Sequence, residues 1–166
     1  MKYSIVFSSR TGNTRLLADT IHDFLPEKDC IYFGEPGEQA TEASRIFIGF
    51  WTDKGSCDPL IESFLKTLQG KEIFLFGTAG FGVDSSYFEQ ILNKTCEYID
   101  DSNKIIGRFM CQGKMPAAVR ERYEKMAEAP NPAPNIQMLI DNFDRALSHP
   151  DEADLENLKK AVHTAD

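Results

Sequence analysis

The sequence predicts an α/β fold of the doubly wound class, a five-stranded parallel sheet with helices on both faces in a single domain spanning residues 1–166. Three observations predict it. Apolar runs rich in β-branched and aromatic residues occur at Tyr3–Phe7, Ile31–Phe33, Ile46–Trp51, Ile73–Phe76 and Ile105–Met110. Each is nearly continuous rather than alternating, which is how strands covered on both faces read. Helical patterns separate them, and strands that alternate with helices form parallel neighbours joined by right-handed crossovers. The chain, 166 residues with 42% hydrophobic and 27% charged, is long enough to bury such a core without disulfide or metal staples.

Taken in order, the first strand runs directly into polar Ser8-Ser9-Arg10, and the first helix shows Leu17, Ile21, Phe24 and Leu25 on one face before Pro26 stops it. The second crossover is thin. Only Gly34 to Ser44, with Pro36 and Gly37, separates the second strand from the third, so the second helix is expected to be short or absent. Asp58-Pro59 reads as an N-cap followed by proline at the first helical position, and Ile61, Phe64, Leu65 and Leu68 share the face behind it. Ser86 with Glu89 has the spacing of a capping box ahead of Phe88, Leu92, Cys96 and Ile99. After the fifth strand, helices are expected at Pro116–Ala127, Ile136–Leu147 and Leu155–Val162, broken by Asn131-Pro132-Ala133-Pro134 and by Pro150. That is more C-terminal helix than the five-stranded sandwich requires.

Composition removes several functions. With 18 basic and 26 acidic residues the net charge is −8, which repels nucleic acid and anionic membrane. The apolar opening is too short for a secretory leader or a span, so the chain is expected in the cytoplasm. Cys30, Cys57, Cys96 and Cys111 form no C-x-x-C pair, and His22, His149 and His163 have no partner at ligand spacing, so no metal site is expected and the histidines are read as surface residues.

Chemistry concentrates in Ser8-Ser9-Arg10-Thr11-Gly12-Asn13-Thr14, at the turn from the first strand into the first helix. In an open α/β sheet such a turn lies where ligands bind, and the unpaired N–H groups and dipole of a helix N-terminus favour an anion. Ser9, Thr11, Asn13 and Thr14 add short donors and Gly12 permits the turn, while the lysine of a nucleoside-triphosphate loop is missing. Two more loops end at the same sheet edge: Phe50-Trp51-Thr52-Asp53-Lys54-Gly55-Ser56-Cys57-Asp58, with the sole tryptophan, and glycine-rich Gly77-Thr78-Ala79-Gly80-Phe81-Gly82-Val83-Asp84.

The spacing Ser9-x-Thr11-Gly12-x-Thr14 on a strand–turn–helix resembles the phosphate loop of flavodoxins, and the two other loops match in position; the resemblance runs over about the first 111 residues. The run Phe109-Met110-Cys111-Gln112-Gly113-Lys114-Met115 is similar to a bacterial subgroup of flavodoxin-like proteins, some of which are associated with bilirubin reduction. The resemblance implies strand order 2-1-3-4-5 and bound flavin mononucleotide (FMN), with Ser9, Arg10, Thr11, Gly12, Asn13 and Thr14 at the phosphate. It places Phe50, Trp51, Thr52, Asp53, Lys54 and Gly55 along the ring, and Thr78, Ala79, Gly80, Phe81 and Gly82 as main-chain partners of its pyrimidine edge. Trp51 falls one or two positions before the usual stacking tryptophan, which leaves Phe50, Phe81 and Tyr87 as rival ring neighbours. Arg10 either faces solvent or reaches the phosphate, and Lys114 or Gln112 either lines the entrance or is solvated. The Lys54–Gly55 peptide is the candidate to turn its carbonyl toward the flavin on reduction.

The function implied is a monomeric electron carrier, loaded by a reductase and discharged by an acceptor oxidoreductase, without nucleic acid or membrane. The acidic surface suits docking on basic partners. The alternative is an FMN-dependent NAD(P)H:quinone or small-acceptor reductase, which needs room above the ring.

Overall fold

The computed structural model describes residues 1–82 and 84–166; Val83 of the glycine-rich loop lies outside them. The chain runs β1 (Tyr3–Phe7), α1 (Asn13–Phe24), β2 (Cys30–Gly34), β3 (Arg45–Asp53), β4 (Ser56–Cys57), α2 (Pro59–Leu65), β5 (Glu72–Ala79), α3 (Ser85–Cys96), β6 (Lys104–Gln112), α4 (Ala117–Glu128), α5 (Ile136–Ala146) and α6 (Glu152–Thr164). The parallel sheet has the order β2-β1-β3-β5-β6. With the two-residue β4 set aside, that is the expected 2-1-3-4-5. The five strands of this order all point the same way and only β4 runs antiparallel, against β3, so the loops after β1, β3, β5 and β6 meet at one edge.

One face of the sheet buries Ile46, Ile48, Phe50, Ile73 and Leu75 under α2 and α3. The other buries Ile5, Phe7, Phe47, Phe74 and Phe76 under α1 and α6. β1 is buried throughout, as a strand covered on both faces must be. The edge strands differ from the sequence reading: Ile31 of β2 and Ile105 of β6 are exposed, because an edge strand has a neighbour on one side only. The second crossover holds one 3₁₀ turn, Glu38–Glu42, in place of a helix.

The caps also correct the reading. Asp58 caps α2 as expected, accepting from Ile61 N–H. The cap of α3 is Asp84, whose carboxylate takes the N–H groups of Ser86 and Tyr87; Glu89, read as a box partner, instead pairs with Arg108 at 2.6 Å. A capping box does form at Asp151 and Asp154, and it starts α6 earlier than Leu155. That helix packs on α1 and β6 and completes the sandwich. Only α4 and α5 are additional, and they pack on each other. Among the described residues no helix is long and apolar enough to cross a membrane.

Candidate cofactor site

Three loops and the β6–α4 connection enclose a cleft of about 350 Å³. A larger groove of about 660 Å³ lies between Gly37–Thr41 and α2, beside the shortened second crossover, but its one cation, Lys71, is spent on the carbonyls of Thr41 and Ala43. The smaller cleft gathers the candidate residues. Arg10, Thr11, Asn13, Trp51, Thr52, Lys54, Gly55, Thr78, Ala79, Gly80 and Phe81 all line it; Ser9, Gly12, Thr14, Phe50, Asp53 and Gly82 do not.

At the N-terminus of α1, Gly12 is the N-cap with φ +91°, a left-handed conformation that explains the glycine. Ser9 Oγ accepts from Gly12 N–H and Arg15 N–H, and Thr11 Oγ1 accepts from Asn13 Nδ2. A hydroxyl that already accepts keeps its proton to donate outward. Among the described residues, the main-chain N–H groups of Thr11, Asn13 and Thr14 find no protein acceptor. Asn13 also donates to the carbonyl of Lys114 at 2.9 Å, which ties the β1–α1 turn to the β6–α4 connection.

Thr14 corrects the sequence reading. It is buried, its hydroxyl donates to the Phe50 carbonyl, and it accepts from Thr78 Oγ1, both at 3.1 Å. Its hydroxyl therefore braces α1 against β3 and β5 and is not a donor to an anion, which leaves the main-chain N–H as the part of Thr14 available at the helix terminus. Phe50 is corrected too: its side chain is fully buried against Gly77, on the face of the sheet that α2 and α3 cover, and is no neighbour of a ring in the cleft. Trp51 is half-buried in the cleft, with the Arg10 guanidinium 5.4 Å from its ring centroid. Arg10 is exposed, so both of its expected roles remain within reach. Phe81 and Tyr87 form an edge-on pair at 5.5 Å on the opposite loop.

After β3 the chain turns through Lys54 and Gly55, φ +51° and +81°, between the paired residues Asp53 and Ser56. Positive φ at both central residues of a two-residue hairpin is a type I′ turn. Gly55 takes its positive φ at little cost, and Lys54 shares that conformation. A Cβ at Gly55 meets nothing within 4 Å. Gly55→Ala is thus expected to lower stability by conformational strain alone, about 1 kcal/mol, read as a fall of roughly 2–4 °C in Tm; an unchanged Tm would show that the turn relaxes freely. Asp58 anchors the other end of this loop by accepting from Trp51 N–H at 3.3 Å, and burial raises its carboxyl above the usual carboxylate range.

The third loop is held by residues that sequence reasoning missed. Gly113 N–H donates to Ala79, and Gln112 Nε2 to Gly80. Asn142 of α5, a buried amide, donates to Gly80 and accepts from Gly82 N–H. An asparagine among Phe143, Ala146 and Ile136 on the buried side of a helix was the available signal. Lys114 lines the cleft, whereas Gln112 turns inward.

Among the described residues the cleft is lined by Arg10, Lys54 and Lys114 and by no carboxylate, although the chain carries −8. Histidines are not all at the surface: His22 packs edge-on to Phe33, and His149 is half-buried with Nδ1 2.6 Å from Asp154. The His149–Asp151–Asp154 cluster is the one the structure brings together at metal-ligand range among the described residues, but both carboxylates already accept the N–H groups of the capping box. Burial pushes the Cys57 thiol up to about 11 and raises that of Cys111 further, so neither supplies a thiolate at neutral pH.

The unpaired amides, outward hydroxyls and cationic rim fit a phosphate, and the apolar walls of Trp51, Phe81 and Met115 fit a planar ring. The profile of the flavodoxin domain family matches residues 4–163. The flavodoxin-like domain-containing protein BilS of Clostridium symbiosum is 46% identical over 93% of this chain and 90% of its own length. BilS of Clostridioides difficile is 34% identical over the same shares. Among solved structures, a flavodoxin of Streptococcus pneumoniae TIGR4 shares the fold with TM-score 0.62 at 16% identity, covering 99% of this chain and 97% of its own. A short-chain flavodoxin associated with a bacterial microcompartment does so with TM-score 0.57 at 18% identity, covering 100% and 99%. The chain belongs to the flavodoxin domain family.

Proposed function

We propose that the protein binds FMN in this cleft and serves as an electron carrier between a reductase and an acceptor oxidoreductase. The observation that supports it most is the Thr11 hydroxyl beside the free amides of the α1 N-terminus, lining a cleft walled by the two other loops, with Ser9 directly behind it in the same turn. Bound FMN supplies reversible uptake of electrons. The chain's own part is to hold it: Ser9 and Thr11 with the α1 amides at the phosphate, Arg10 and Lys114 as neighbouring cations, Trp51 and Phe81 along the ring. The net charge of −8 suits docking on basic partner proteins, which favours a carrier over a reductase fed directly by a dinucleotide.

The experiment is reconstitution. Purified protein is expected to be yellow, to release FMN on denaturation, and to be bleached by NAD(P)H only when a flavodoxin reductase is present; bleaching by NAD(P)H alone would favour the enzyme. Thr11→Val removes one charge-assisted donor, worth roughly 1.5–3 kcal/mol, so FMN affinity is expected to fall about ten- to a hundredfold. Riboflavin, which lacks the phosphate, is expected to bind the variant as it binds the parent. Equal losses for both ligands would remove the phosphate from this loop.

A further inference from the structure

We propose that Asn142, a residue of the added helix α5, is a positioning residue that aims the Phe81 main-chain N–H into the cleft as a donor to the bound flavin ring; this rests on the FMN reading above. Asn142 is 2% exposed. Its Nδ2 donates to the Gly80 carbonyl at 3.0 Å, and its Oδ1 accepts from Gly82 N–H at 3.3 Å and from Gln112 Nε2 at 3.0 Å. The amide orientation is fixed by its partners, because a carbonyl only accepts and a main-chain N–H only donates. Gln112 Nε2 gives the Gly80 carbonyl a second bond at 3.0 Å.

Two amides on one carbonyl hold the Gly80–Phe81 peptide plane. In a trans peptide the N–H points opposite to the C=O. The Gly80 carbonyl turns toward α5 and β6, so the Phe81 N–H turns away from them, on a segment whose residues Ala79, Gly80 and Phe81 line the cleft. Packing leaves no room for a side chain at either glycine that flanks this peptide. A Cβ on Gly80 would stand 2.5 Å from Met115 Cγ, and one on Gly82 would stand 3.1 Å from Gln112 Cδ. The added helices thereby contribute to the cleft in two ways: α4 lines it with Val119, and α5 acts from outside it with a side-chain amide that spans Gly80 and Gly82 as a neighbouring strand would.

The test compares Asn142→Leu and Asn142→Asp with the parent as apoproteins, each first checked for native circular dichroism. Asn142→Asp keeps the acceptor but sets a carboxylate oxygen against the Gly80 carbonyl, so a loop-specific effect shows in it even where Asn142→Leu is poorly folded. Affinities for FMN and for riboflavin are measured separately, and the Phe81 amide proton is followed by NMR during titration with riboflavin. Both variants are expected to lose about tenfold or more in affinity for both flavins, with the FMN-to-riboflavin ratio unchanged because the phosphate loop is untouched. The Phe81 amide proton is expected to shift downfield on binding in the parent and to shift less in the variants. Parent-like affinity in both variants, a loss confined to FMN, or a Phe81 amide that ignores the flavin would each overturn the proposal while leaving FMN binding intact. A parent that binds neither flavin would overturn both.

Discussion

Phe50→Ala is expected to cost the fold about 4 kcal/mol, in the range for a large aromatic removed from a tight core. Phe50 is fully buried in β3, and its ring lies where a Cβ on Gly77 would stand, 2.4 Å from Cζ. The two residues are paired across β3 and β5, one strand's ring filling the space the other leaves empty. The converse change, Gly77→Ala, overfills the same space and is expected to cost about 2–3 kcal/mol. Since the ring is the obstacle, Phe50→Leu combined with Gly77→Ala is expected to be more stable than the sum of the single losses. Chemical denaturation of the parent, the two single variants and the double variant gives the coupling. Strict additivity would mean that the clash is relieved by backbone movement and that the pair is not a fitted contact. Because Trp51 and Thr78 follow these two residues, Phe50→Ala is also expected to weaken FMN and riboflavin together.

Thr14→Val is expected to be the most damaging change in the β1–α1 turn, and to act on the scaffold. The buried hydroxyl relays from Thr78 Oγ1 to the Phe50 carbonyl. Valine has nearly the same shape and no hydroxyl, so it leaves a donor on Thr78 and an acceptor on Phe50 in a site closed to water. Each unsatisfied group costs roughly 1–3 kcal/mol, which puts the loss near 3 kcal/mol and the fall in Tm near 10 °C. Thr14→Ser restores the hydroxyl and is expected to recover most of it. FMN and riboflavin affinities are expected to fall together, in contrast to Thr11→Val. A Thr14→Val variant of parental stability that loses FMN alone would return Thr14 to the phosphate.

Charge works at two ranges. At a distance the chain presents a net charge of −8, but screening limits fields to about 8–10 Å in physiological salt. Within that range the cleft presents Arg10, Lys54 and Lys114. Charge facing a ligand in the cleft therefore cannot be read from composition alone.

The layers and the meeting of three loops at one sheet edge were legible in the chain before it folds, and the strand order followed from the family resemblance that the first loop carries. The first two follow from local signals: continuous apolar strands, Asp58-Pro59 at a helix start, and Ser9-x-Thr11-Gly12-x-Thr14 at a strand–helix turn. Which side chains face the cleft was settled by packing between distant segments. Thr11 and Thr14 are the same residue type in one motif, yet the first lies exposed at the helix entrance and the second, one position past Asn13 in the first turn, points under the sheet to Phe50 and Thr78. Phe50 and Trp51 are adjacent aromatics, but successive residues of a strand face opposite ways, and only pairing with Gly77 and Thr78 shows which one the core takes. Asn142 lies 60 residues beyond the Gly82 amide it accepts from. Such a contact leaves no local pattern, because its partners are main-chain groups that every residue carries, and only the folded chain brings them to the amide.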